Sequence, residues 1–473
     1  MIDFLFFLIL ATSLASVALG LVVLGVSWIR AGTRPVWTFT LSVVAVGTLA
    51  IFLLLTLQIP PNDDPFFAAR MGEVVRPHLD ASFGAAVGGL AAFALVLAGV
   101  YLTRIGRNRL AVVVPSVLLL LLMSASSYAL AERDSPRVPR ELDVIQLDAI
   151  QSSLPDGLTA SAATPEHLFP GAFAFTWGDD GALYVAFAEG IARALYDADR
   201  GTVEVGSAFS DTSGLGLTWY RDGLLVSSYG SLLHVVDRNN DGRADEERVL
   251  AEDLPSFVYD GHSTNGVIVD GEGNILLLVG GTSDHGPEDN LLAGSALSVT
   301  EDGDVQVYAA GFRNPFDVTA CPDGRMFVTD NGPDQLGSTL VFHPPDEVNE
   351  LVAGQDYGYP SYFGWAPPSS GTMSPFAILP MSGAATGITC YSVGALGSEF
   401  ELGLFVTLWG TLVLPEENGR RLMWVDLNQN EPRTGVEFAA GFVRPIDVLV
   451  TPDGALLILD QAAGQIIRIG RDD

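Results

Sequence analysis

Hydrophobic positions along this chain fall into two regimes. In the first, apolar residues run on without a break. The stretches near 5–28, 37–59, 82–103 and 110–131 contain no charged residue, and each reaches the roughly 20 residues that a membrane-spanning helix requires. The first run is too long for a signal peptide and lacks a basic leading segment and a clear cleavage site. In the second regime the apolar runs shrink to short β-branched and aromatic stretches, each introduced by a turn signal. They read "DDGALYVAF" at 179–187, "RDGLLVSSY" at 221–229, "GEGNILLLVG" at 271–280, "PDGRMFVTD" at 322–330, "ELGLFVTLWG" at 401–410 and "PDGALLILD" at 452–460. The residues before glycine are 180, 222, 272, 323, 402 and 453, spaced by 42, 50, 51, 79 and 51. A repeat of about 40–50 residues built from short strands is a propeller blade. The pattern therefore predicts a four-span helical transmembrane region at 1–134, a linker at 135–165, and an all-β six-bladed propeller at 166–473. About thirty extra residues fall between the fourth and fifth units. The glycine-punctuated, β-rich repeats exclude a helical solenoid.

Arginines orient the spans. Arg30 and Arg34 lie in the loop 29–36, and Arg104, Arg107 and Arg109 in the loop 104–109, so both loops are expected on the cytoplasmic side. Four spans then return the chain to the outside, which makes the propeller extracytoplasmic and the protein a multi-pass membrane protein. The spans carry no internal ionisable residue, so proton or ion transport lacks its usual signature.

Charge sharpens the division. Residues 1–134 hold eight Arg against seven Asp and Glu, a net of +1, which leaves −33 for the rest of a chain that totals −32. The chain contains no lysine. Such acidity excludes nucleic acid as a partner, since phosphates are repelled, and implies a heavily hydrated surface. Two cysteines are present, Cys321 and Cys390. An external location permits a disulfide, and two buried thiols fit the sequence equally well.

Candidate chemistry sits just ahead of the repeated strands. His262 precedes an inner strand in "YDGHSTNGVIVDGEGNILLLVGG". Arg313 and Asn314 precede one in "GFRNPFDVTACPDGRMFVTDNGP", with Gly332 and Pro333 following the next strand. Arg444 holds the matching place in "FVRPIDVLVTPDGALLILD". A neutral imidazole is a suitable general base, and two guanidiniums suit a planar, polyanionic ligand. Loops from several blades converge at one end of a propeller channel, where ligand sites are built.

These motifs, together with "DEVNELVAGQDYGYP", resemble the soluble quinoprotein glucose, aldose-sugar and sorbosone dehydrogenases, six-bladed propellers that bind pyrroloquinoline quinone (PQQ) and calcium. The resemblance covers most of 165–470 and not the spans. It implies His262 as catalytic base, with Arg313, Asn314 and Arg444 on the cofactor and the carbonyls of Gly332 and Pro333 on Ca2+. It further implies oxidation of an aldose or related alcohol, with hydride passing to the quinone, calcium acting as Lewis acid and Arg313 stabilising the developing anionic oxygen. Electrons would then go to a membrane quinone or a soluble acceptor. The family usually adds a Lys or Arg from the fifth blade. Here that region reads "LFVTLWGTLVLPEENGRRLMWVDL", so either Arg420 or Arg421 substitutes or the contact is missing.

A second calcium candidate is "DRNNDGRADEE", 237–247. Asp237, Asn239, Asp241 and Asp245 occupy positions 1, 3, 5 and 9 of an EF-hand-like loop, with Gly242 at position 6 and Arg248 where a bidentate Glu is usual. Two other functions remain open to this sequence. One is a non-catalytic propeller binding carbohydrate or protein at the outer membrane face. The other is a calcium-dependent lactonase-type hydrolase, for which Asp346, Glu347 and Asn349 are candidates.

Overall fold

A computed structural model describes residues 144–256, 262–282, 286–333, 345–380, 383–410, 419–430 and 433–471. The chain divides into two compact units, Met1–Pro139 and Arg140–Asp473. The four predicted spans lie outside the described residues, among which no helix is long and apolar enough to cross a membrane.

The second unit forms six four-stranded antiparallel sheets. The first strands are Ala174–Trp177, Gly216–Tyr220, Thr264–Val269, Pro315–Ala320, Ala385–Tyr391 and Pro445–Val450, and they open blades 1 to 6 in chain order. Each touches the first strands of the two neighbouring blades, and blade 6 touches blade 1, so the ring is closed. This is the six-bladed propeller that the repeat predicts. The turn signals sit between first and second strands. Gly324 and Gly454 take φ of 87° and 83° in the two "PDG" turns, a region that only glycine enters without strain. Gly403 in blade 5 differs. It lies inside a strand, where an added Cβ would stand 2.2 Å from the Trp424 ring.

The second strands read as continuous apolar runs because both of their faces are covered. Ile275–Val279 and Leu456–Asp460 are buried at every position. One hydrophobic cluster fills each of the six gaps between neighbouring blades. Outer strands meet water, and Glu246–Ala251 is exposed over its first four residues.

Three features depart from the sequence reading or complete it. First, the segment treated as linker contains a strand. Thr159–Ala162 pairs antiparallel with Gln465–Gly470 as the outer strand of blade 6, so the start and end of the propeller are sewn together. Just before it, helix α1 (Leu147–Ser153) packs on the outer strand of blade 5, and Ser153 Oγ accepts the Ala440 amide at 2.9 Å. Second, the long insertion lies within blade 4, where 351–376 separate the third strand, Asp346–Glu350, from the outer strand, Ala377–Leu379. Third, Cys321 and Cys390 form a disulfide with Cα atoms 5.3 Å apart, joining the first turn of blade 4 to the first strand of blade 5.

Candidate active site at the channel mouth

First strands all run away from one end of the ring, so residues just before them share that end with residues just after the second strands. His262, Arg313, Asn314 and Arg444 are all there, with exposures of 3%, 4%, 7% and 7%. Burial of two guanidiniums in one small region is costly unless other groups offset it. The structure shows how each is held.

Arg313 and Asn314 are fixed through their backbone. Asp330 closes the second strand of blade 4, and its carboxylate accepts the Arg313 amide at 3.1 Å and the Asn314 amide at 2.7 Å. Blade 6 repeats the device. Asp460 closes its second strand and accepts the amides of Val443 and Arg444, at 2.8 Å and 2.9–3.0 Å. Burial pushes Asp330 up to about 6 and raises Asp460, while these amide bonds and the nearby arginines pull both back. Both aspartates therefore act as anion caps for the start of an inner strand. The sequence signal is an Asp ending "FVTD" and "LILD", which the reading of the sequence did not use.

The Arg444 side chain lies over Trp409 of blade 5, with its guanidinium carbon 4.3 Å from the ring centroid. Its Nη1 donates to the Trp409 carbonyl at 3.2 Å, and Trp409 Nε1 donates to Gln461 at 2.9 Å. A cation on an indole face is stabilised by the ring quadrupole. Trp409 is thus the fifth-blade residue that supports Arg444.

Arg421 is engaged within its own blade. It opens the third strand of blade 5, Arg421–Asp426, and its Nη1 pairs with Glu437 of the outer strand at 2.8 Å, with both side chains partly exposed. The alternation of the strand turns it toward that neighbour. Arg420 adopts a left-handed φ of 59° and its amide bonds the Leu408 carbonyl.

His262 Nδ1 lies 2.8 Å from the Gly281 carbonyl. A carbonyl only accepts, so Nδ1 carries the hydrogen and the neutral ring keeps its lone pair on Nε2. The Gly281 amide in turn donates to the Arg313 carbonyl at 2.6 Å. A Cβ on Gly280 would stand 2.8 Å from both His262 Cβ and Asn314 Oδ1, and one on Gly281 would stand 2.8 Å from the Arg313 carbonyl. Only glycines let these three residues converge.

Gly332 and Pro333 follow the second strand of blade 4. The Gly332 amide donates to Asp346 Oδ1 at 2.9 Å, and the other Asp346 oxygen accepts the Ala385 amide at 3.1 Å. Asp330 lies opposite Glu347 in the register. Burial, with Asp330 and Asp346 adding repulsion, pushes Glu347 up to about 8. Backbone oxygens beside buried carboxylates are the hard donors that calcium prefers. Among the described residues, no group of three or more His, Cys, Asp or Glu side chains is arranged to hold a metal by itself. Asp346, Glu347 and Asn349 line up along one strand and form no such metal group.

The acidic loop is held by its own amides. Asp237 accepts from Gly242 at 2.8 Å, Asn239 from Asp241 at 2.8 Å, Asp241 from Arg243 at 2.9 Å and Asp245 from Arg238 at 3.0 Å. These are Asx-type turns.

The profile of the family described as Glucose / Sorbosone dehydrogenase matches residues 227–468. The chain belongs to that family. The matched stretch contains every site residue named above. The "Calcium structure of Trichoderma reesei Carbohydrate-Active Enzymes Family AA12" superposes with a TM-score of 0.56 at 12% identity, covering 67% of this chain and 96% of that one. The holo PQQ domain of a pyranose dehydrogenase from Coprinopsis cinerea gives 0.53 at 16% identity, with 67% and 96% covered. A PQQ-bound aldose sugar dehydrogenase from Streptomyces coelicolor gives 0.50 at 18%, with 67% and 100% covered. At these identities the likeness is one of fold. A Borreliella burgdorferi protein described as uncharacterized is 25% identical over 186 residues, which cover 35% of this chain and 48% of that protein, so the chain spans about half the length of that relative.

Proposed function

We propose that this member of the glucose/sorbosone dehydrogenase family is a membrane-anchored, extracytoplasmic quinoprotein. It oxidises an aldose sugar or a related alcohol with PQQ and Ca2+, and its electrons go to a membrane quinone or another acceptor. The observation that carries the reading is the backbone bridge through Gly281 that joins His262 to Arg313, with Asn314 and Arg444 buried at the same channel end.

The residues fit the cofactor. Arg313 and Arg444 are buried cations that match a planar polyanion, Asn314 offers an amide donor, and the glycines at 280 and 281 leave room for close approach. The carbonyls of Gly332 and Pro333 would hold calcium beside it. When bound, PQQ supplies a two-electron acceptor for the hydride of the substrate carbon, and calcium polarises it. The chain supplies the base. His262, locked in the tautomer with Nε2 basic, takes the substrate hydroxyl proton. Arg313 and Arg444, both buried, would neutralise negative charge there. The apolar runs near 5–28, 37–59, 82–103 and 110–131 would anchor the propeller to the bilayer.

Turnover tests the reading. The full chain in detergent, loaded with PQQ and Ca2+, is expected to reduce an artificial electron acceptor with aldoses or alcohols. His262→Ala should keep PQQ and lose at least about a hundredfold in kcat, the usual worth of a general base. A loaded chain inert across aldoses, alcohols and aldehydes would instead support a binding propeller.

A further inference from the structure

Three asparagines form a directed hydrogen-bond chain across the channel mouth. Asn265, in the first strand of blade 3, donates from Nδ2 to the Pro315 carbonyl at 2.8 Å and to Asn314 Oδ1 at 2.9 Å. Asn314 donates from Nδ2 to Asn331 Oδ1 at 3.0 Å. Asn331 donates from Nδ2 to the Ala385 carbonyl, in the first strand of blade 5, at 2.5 Å.

The direction of this chain is forced from both ends. A backbone carbonyl only accepts, so Pro315 compels Asn265 to turn its nitrogen toward Asn314. Ala385 likewise compels Asn331 to turn its oxygen toward Asn314. A flipped Asn314 would set nitrogen against nitrogen and oxygen against oxygen in a buried site, where unmatched polar groups are costly. Gly280 packs against the same side, since its Cβ would lie 2.8 Å from Asn314 Oδ1. Asn314 therefore spends its oxygen on Asn265. Its nitrogen carries two hydrogens, and one of them has no partner among the described residues.

We propose that Asn265 and Asn331 are positioning residues that hold Asn314 as a hydrogen-bond donor to the cofactor, so that the site selects an acceptor oxygen of PQQ at this point. The inference rests on the proposed reading that Asn314 meets PQQ. Neither residue touches the cofactor in this account. They act by denying Asn314 its other orientation, which would present an oxygen to a polyanion.

The test is a double-mutant cycle on PQQ affinity, measured by calorimetry on the full chain in detergent with Ca2+, with the melting temperature recorded for each variant. Asn265→Ala and Asn331→Ala are each expected to weaken PQQ binding about tenfold, the scale of one oriented hydrogen bond. In an Asn314→Ala background the same substitutions should leave the affinity unchanged within about twofold, because there is no amide left to orient. Asn265→Ser, which keeps a donor, should lose less than Asn265→Ala and serves where the alanine variant folds poorly. Equal losses in the two backgrounds would show a general structural role and overturn the inference. So would an undiminished affinity in Asn265→Ala. Wild-type protein that fails to bind PQQ would overturn the functional reading itself, a distinct result.

Discussion

His262 and Arg313, fifty-one positions apart in the chain, are joined through the backbone of one residue. Gly281 accepts the His262 Nδ1 hydrogen on its carbonyl and donates its own amide to the Arg313 carbonyl. The candidate base and the candidate anion-stabilising cation are thus indexed to the same residue, two positions past the end of the second strand of blade 3. Catalysis that depends on placing a proton acceptor and a charge within fractions of an ångström needs such shared support.

That bridge makes Gly281 sensitive. A methyl group there would meet the Arg313 carbonyl at 2.8 Å and Glu288 Oε1 at 2.7 Å, so one of the two bonded partners must shift. Gly281→Ala is expected to reduce kcat/KM by about a hundredfold, the effect of a displacement near 1 Å, while the melting temperature falls by only a few degrees. Steady-state kinetics beside a thermal melt check this.

Stability should depend on pH through the channel itself. A cavity of about 130 Å³ is lined by the first strands of all six blades, and its only ionisable residues are Asp317 and Asp447. Each is tied to the next blade, Asp317 by the Ile388 amide at 2.9 Å and Asp447 by the Phe175 amide at 3.0 Å. Burial raises Asp317 to about 6, and burial together with Asp317 raises Asp447 well above its ordinary value. Raised carboxylate pKa values mean that the folded state binds more protons than the unfolded chain, so the Asp317 contribution is fully present below about pH 4 and is lost as pH rises through about 6, with Asp447 acting in the same direction. Asp317→Asn should therefore raise the melting temperature relative to wild type at pH 8, with the advantage gone at pH 4. Melts between pH 4 and 8 decide it, and a variant less stable than wild type at pH 8 would contradict the account.

The disulfide lies at the far end of the first strands from the site. Cys321 follows the first strand of blade 4, and Cys390 is near the end of that of blade 5. Cys321→Ser with Cys390→Ser should cost about 4.4 kcal/mol by the loop-entropy relation for a sequence separation of 69 residues. PQQ affinity should stay the same in a titration on the folded variant.

Trp409 should matter more than either arginine of the fifth blade. Trp409→Leu removes the ring face under Arg444 and the bond to Gln461. A loss of about tenfold in PQQ affinity is expected from the cation–π contribution, against less than about threefold for Arg421→Ala, whose guanidinium is engaged by Glu437. Calorimetric titration of both variants separates the two.

Much of this was written in local pattern. Six strand–turn–strand signals gave the blades, because each turn carries its own backbone chemistry. His262, Arg313, Asn314 and Arg444 were legible from their shared place ahead of an inner strand, and the structure puts all four at one end of the ring. What escaped depends on contacts made far along the chain. The sequence "TASA" at 159–162 shows no strand signal, and it becomes one only by pairing with 467–470. Asp330 and Asp460 look like ordinary strand-ending polar residues until the amides they accept are seen. Gly280 and Gly281 read as a loop signal, although packing against His262 and Asn314 is what demands them. Arg421 was expected from the resemblance as a fifth-blade cation, and its pairing with Glu437 of the outer strand could not be read from the sequence, because it depends on how the two strands align.

The most direct test of the central claim is calorimetric titration of the full chain, in detergent with Ca2+, by PQQ. The account predicts saturable binding near one PQQ per chain, weakened at least about tenfold by Arg313→Ala and by Arg444→Ala, with both variants folded. A folded, calcium-loaded chain that binds no PQQ, or that binds it equally well without these arginines, would contradict it.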